Sequence, residues 1–100
     1  MDKIPLTDTK PVVITKDLIH HLHFPKEEVL NSSFDKNVRN KDLEQAIVLG
    51  NVYHSKVAIL FEDIEGQKKV ETTIWGVTDK AVILKGDIMI PIHRIIRIIY

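Results

Sequence analysis

The hydrophobic and polar positions of this chain change period near Gly50. Before that point apolar residues recur at three- and four-residue spacing. Beyond it they alternate or run together in short blocks, which is the pattern of strands. The clearest helix is predicted over Asn40 to Gly50, with Asn40 as N-cap, Asp42 and Glu44 in the first turns, Leu43, Ala46 and Ile47 on one face, and Gly50 as a left-handed stop. A shorter helix is expected after Thr15, through Leu18, Ile19 and Leu22. Another runs from Lys26 to about Leu30, with Pro25 suited to its first position. Asp35 to Arg39 reads as a polar linker, Val12 to Ile14 as a short strand and Met1 to Pro11 as an extended arm.

After Gly50 five strands are predicted: Lys56 to Glu62, Lys69 to Val77, Ala81 to Lys85, Ile88 to Ile92 and Ile95 to Ile99. The loops Asp63 to Gln67, Thr78 to Lys80 and Lys85 to Asp87 carry the polar residues and glycines that tight turns need. Ile90-Pro91-Ile92-His93-Arg94-Ile95 reads as a strand ending at proline, one helical turn, and re-entry into a last strand. Val57-Ala58-Ile59-Leu60-Phe61 and Val82-Ile83-Leu84 are apolar on both faces, so both must be covered. The expected solution is a curled sheet over residues 56–100, closed or nearly closed as a small five-stranded antiparallel barrel, with Gly76 marking a bend or bulge. The fold class is then mainly β with N-terminal helices, α+β overall. Residues 1–39 form an arm and short helices packed as a lid on a unit of residues 40–100.

One hundred residues suffice for a single core, and 44% apolar with 28% charged residues lies in the globular range. Basic and acidic residues number 14 each, divided almost evenly on either side of Ser55. That balance argues against strong non-specific binding to nucleic acid through phosphates. Cysteine is absent, which excludes disulfides, thiolate catalysis and cysteine zinc sites. No basic start joins an apolar run of signal-peptide length, and no apolar run is long enough to span a bilayer, so a soluble cytoplasmic protein is expected.

A helix followed by five short strands, with a proline-marked turn before the last, resembles the Sm-like and SH3-like small barrels over about Asn40 to Tyr100. Ile83-Leu84-Lys85-Gly86-Asp87 is similar to the second Sm signature, an apolar pair followed by a basic residue and a glycine. The resemblance implies a base-binding role for Lys85, with Gly86 beside it. The turn Gly76 to Lys80 offers Asp79 but not the asparagine of the family pattern. The helix-then-barrel layout is also similar to the small Rho-inhibitor proteins, Sm-like monomers that bind a transcription terminator. The whole chain looks like members of an uncharacterised family of small bacterial proteins.

Other candidates come from the residues themselves. Trp75, the only tryptophan, is either a binding anchor or core, and burial against the N-terminal segment is the expectation. Arg94 and Arg97, near His93, are placed to recognise phosphate or carboxylate at a barrel rim, or to guard an isoleucine-rich strand against aggregation. His20, His21, His23, His54 and His93 invite a metal reading, but only His20 and His23 share a helical face, so a solvated face is the simpler account. Glu62, Asp63 and Glu65 read as solvating carboxylates that pair weakly with Lys68 and Lys69. No nucleophile motif or glycine-rich phosphate loop is present. The expectation is a non-enzymatic binding module without metal or cofactor, acting on RNA or on a protein of the gene-expression machinery. The alternative is an assembly protein that oligomerises through Ile95 to Tyr100.

Overall fold

The computed structural model describes residues 10–100, so most of the Met1 to Pro11 arm lies outside the described residues. Strand β1 (Val12–Ile14) leads into a 3-10 helix (Lys16–His21), with Thr15 at its N-cap position. The chain then runs without regular structure to a single α-helix, α1 (Ser33–Tyr53), and on through β2 (Val57–Asp63), β3 (Gly66–Thr72), β4 (Ile74–Val77), β5 (Ala81–Leu84) and β6 (Ile88–Pro91). A 3-10 turn (Ile92–Arg94) re-enters the last strand, β7 (Ile95–Ile99).

The helix differs from its expected bounds at both ends. Its N-cap is Ser32, whose Oγ accepts the Asp35 N–H at 3.0 Å, so the expected Asp35 to Arg39 linker is helical. The buried stripe is Arg39, Asp42, Leu43, Ala46 and Gly50. Its spacing is helical throughout, yet its first two members are charged, and an apolar pattern therefore begins too late. Gly50 lies inside the helix; the left-handed residue is His54, with φ 55°, whose N–H reaches the Gly50 carbonyl. The expected Lys26 to Leu30 helix does not form.

The strands do not close into a barrel, and this corrects the expected Sm-like or SH3-like fold. They make two sheets, a four-stranded one in the order β1-β3-β2-β7 and a three-stranded one in the order β4-β5-β6. The first is mixed, since β1 runs parallel to β3, while its other pairs and the whole second sheet are antiparallel. The predicted Lys69 to Val77 strand breaks at Thr73 and delivers its halves to different sheets. α1 packs against β4 and β7, and the N-terminal 3-10 helix against β6 and β3. Each N-terminal element thus spans the two sheets, covering core that a closed barrel would have sealed with its own strands.

Ile59, Phe61, Val70, Ile74, Val82, Leu84, Ile90 and Ile95 are fully buried between these layers. Gly66 and Gly86 take positive φ in the hairpin turns, and a register shift falls between Ile74 and Gly76, the irregularity expected at Gly76.

The outer faces of the two sheets differ. On the four-stranded sheet, Leu60 lies between Lys69 and Arg97 in cross-strand register, and Ala58 between Glu71 and Ile99. Long charged side chains flank the apolar ones there, and their stems can cover them. On the three-stranded sheet, Ile83 pairs with Met89 and Gly76, and Ala81 pairs with Pro91. No charged residue stands in those rows.

Candidate binding surfaces

Of the arginines proposed from sequence, Arg94 is turned inward and is 6% exposed. Its Nε donates to the Glu62 carbonyl at 3.0 Å and its Nη1 to the Glu27 carbonyl at 2.7 Å, while Nη2 stands 3.6 Å from the Glu62 carboxylate. His93 Nε2 lies 2.9 Å from the Pro25 carbonyl; a carbonyl only accepts, so that nitrogen carries the proton. The Val29 N–H donates to the His93 carbonyl at 2.8 Å. These bonds staple the stretch of residues 25–29 to the β6–β7 corner.

Arg39, which sequence reasoning placed in a linker, completes the staple. Its guanidinium grips both oxygens of Glu28 at 2.7 and 2.8 Å and donates to the Ile95 carbonyl at 3.0 Å. The bond to Arg39 holds the Glu28 carboxyl down to about 2 against the opposing pull of burial, and the Leu30 N–H adds to the effect. A basic residue inside a helical stripe was the available signal for this role.

Trp75 is 47% exposed, contrary to its expected burial, and Met89 is 57% exposed. The alternation along β5 and β6 directs Val82, Leu84, Ile88 and Ile90 inward and Ala81, Ile83, Met89 and Pro91 outward. This bare face adjoins a cleft of about 670 Å³ lined by Phe24, Ala81, Met89, Pro91 and Ile92, with Glu28, Arg39, Asp79, Lys80 and His93 as its polar residues. A cleft of that size, apolar with a few polar groups, has the character of a recognition site.

Lys85 and Gly86 lie elsewhere. Lys85 lines a separate pocket of about 330 Å³ together with Lys16, Lys56, Asp17, Glu71 and Thr72. Gly86, with φ 91°, sits in the β5–β6 turn, and the Lys16 Nζ is 3.8 Å from the point where a Cβ on Gly86 would stand. Lys16 and Lys56 were not singled out from sequence, because positions 16, 56 and 85 converge only through the fold.

Arg97 is 61% exposed at its side chain and reaches Asp42 at 3.8 Å. The Tyr100 hydroxyl donates to the same carboxylate at 3.3 Å. The five candidates therefore do not form one site: Arg94 is structural, Trp75 faces outward from the second sheet, Lys85 and Gly86 adjoin the lysine pocket, and Arg97 lies at the α1–β7 seam.

His20, His21 and His23 are exposed, and among the described residues no three His, Asp or Glu side chains gather as a metal-binding group. No described helix is long and apolar enough to cross a membrane. No family model, curated protein or solved structure matches this chain, so its functional reading rests on the surfaces just described.

Proposed function

We propose that this chain is a non-enzymatic binding module that recognises a segment of a partner protein on the outer face of β4, β5 and β6. One observation carries the reading. Ala81, Ile83, Met89 and Pro91 share an uncharged face that runs into the 670 Å³ cleft, with Trp75 exposed on the neighbouring strand β4, whereas the corresponding face of the other sheet is flanked by Lys69, Glu71 and Arg97. An exposed tryptophan and an apolar cleft on the same small sheet are the chemistry of a protein-binding hot spot.

The size of the face bounds the partner. Three strands at about 4.8 Å spacing and four residues at about 3.4 Å rise give a patch about 13 Å on a side. That is well below the roughly 800 Å² per partner of a standard interface between globular proteins. A short segment anchored by one or two large apolar side chains fits it. RNA fits it less well, because the paired rows of the face carry no cation and the donors of Arg94 are occupied within the fold.

Photo-cross-linking from position 89 in the native cell tests the reading. A discrete protein adduct that disappears with Trp75→Ala is the expected result. An RNA adduct, or the same adducts from exposed Val52 on α1, overturns it.

A second reading has its own observation. β7 is hydrogen-bonded to β2 on one side only, and Ile99 and Tyr100 beside it are 49% and 59% exposed. Pairing of β7 with a second copy would bury them. Light scattering at rising concentration decides: a strict monomer removes this reading, and a dimer dissociated by Ile99→Lys supports it.

A further inference from the structure

We propose that the pocket between Lys16, Lys56 and Lys85 binds one phosphoryl group, of the phosphate monoester class. This rests on observations separate from the apolar face. Lys16 opens the N-terminal 3-10 helix, Lys56 precedes β2, and Lys85 follows β5, yet all three line the same pocket. Ammonium groups gathered from three distant stretches repel one another, and a bound anion relieves that repulsion. Lys68 shows the contrast: it is tied to Asp63 at 2.9 Å. None of the three pocket lysines forms an ion pair with another described residue.

The pocket's own charges define the ligand. Asp17 and Glu71 also line it, so three cations face two anions and leave one net positive charge. That suits a single small oxyanion and not an extended polyphosphate strand, in keeping with a chain whose net charge is zero. Thr72 is 4% exposed, yet it lines the pocket and brings a hydroxyl able to donate to an oxyanion. Gly86 belongs to the same arrangement. At φ 91° an L residue is strained, so glycine is suited to this turn, which stands next to the Lys16 ammonium. The two carboxylates are suited to accept hydroxyl groups from the body of an ester, a role for which inorganic phosphate offers less.

The test is a titration of the full-length, isotope-labelled chain, followed by amide shifts, with inorganic phosphate, glycerol phosphate and a phosphoserine peptide in parallel. Saturable shifts centred on Lys16, Lys56, Thr72 and Gly86 are expected. Lys85→Gln and Lys56→Gln should each weaken binding by about tenfold, while Lys41→Gln on exposed helix leaves it unchanged. Raising the salt should weaken binding in every arm. Tighter binding of glycerol phosphate than of the peptide assigns the site to small esters, and the reverse assigns it to phosphorylated side chains. The proposal is overturned by shifts that never saturate and spread equally to Lys26, Lys36 and Lys41, an adventitious ion only. It is equally overturned if Lys85→Gln, folded by its amide spectrum, binds like the parent, or if single-stranded RNA binds with a salt slope of several phosphates.

Discussion

The carbonyl oxygen of Ile74 occupies the space that a Cβ on Gly50 would need, so α1 meets β4 backbone against backbone. Gly50 is fixed by this approach and not by a helix stop, since it lies in the last turns of α1. Ala at position 50 recovers about 1 kcal/mol of helix propensity but must displace main chain of a core strand, an overpacking cost of up to about 3 kcal/mol. Gly50→Ala should therefore lose about 2 kcal/mol in urea denaturation. An unchanged or raised midpoint would show that the helix can lift from β4 at little cost.

Glu28 and Arg39 predict a pH dependence. The Glu28 carboxyl is held at about 2, below its ordinary 4.5, so it binds protons more weakly in the folded chain than in the unfolded one. Stability from this pair is fully present above about pH 5 and is lost as pH falls towards 2. With a side chain 29% exposed, the contribution is about 2 kcal/mol at neutral pH. Glu28→Gln should be less stable than the parent by that amount at pH 7, and the two unfolding curves should converge by about pH 2. A gap that stays constant with pH would assign the loss to packing and not to charge.

How much of this was legible in the sequence depends on which residues wrote the signal. The turns at Gly66 and Gly86, the β1 strand and the proline-led corner before β7 were all readable, because local backbone preference determines them. The start of α1 was not, because Arg39 and Asp42 occupy buried positions of its stripe and look like solvent-facing residues until Glu28, Ile95 and Tyr100 are brought to them. The barrel expectation failed for a related reason. Strands apolar on both faces require cover, but a linear pattern does not say whether a strand or a helix provides it, and here α1 covers β4 and β7. Arg94 and Trp75 exchanged their expected environments: carbonyls of Glu62 and Glu27 draw the arginine in, and the irregularity in β4 leaves the tryptophan out.

Asp63 and Lys68 make a second ion pair at the base of the β2–β3 hairpin, and it is buried, not the weak surface pair expected from sequence. Burial alone would raise the Asp63 pKa, but the Lys68 ammonium at 2.9 Å and the N–H groups of Glu65 and Gly66 hold it below the ordinary value. Lys68→Met strands the carboxylate and should cost about 3 kcal/mol. Adding Asp63→Asn should recover part of that loss, because asparagine can still accept the two turn N–H groups without an unpaired charge. Thermal denaturation of the two single variants and the double completes the cycle. Strict additivity would mean that the two groups act independently.

Trp75 and Met89 separate a surface kept for binding from one kept for folding. Each is about half exposed and neither belongs to the buried core, so Trp75→Lys with Met89→Lys should change unfolding stability by no more than about 0.5 kcal/mol. The same pair should lower the protein's binding of a hydrophobic dye and raise its solubility, because two charges then interrupt the uncharged face. Core substitutions such as Leu84→Ala should do the opposite, losing about 3 kcal/mol while leaving the face intact. A large stability loss from the double lysine variant would place Trp75 in the fold's own packing and remove the main support for a partner on this face. Unchanged stability with lost cross-linking from position 89 is the outcome that joins the exposed tryptophan to function.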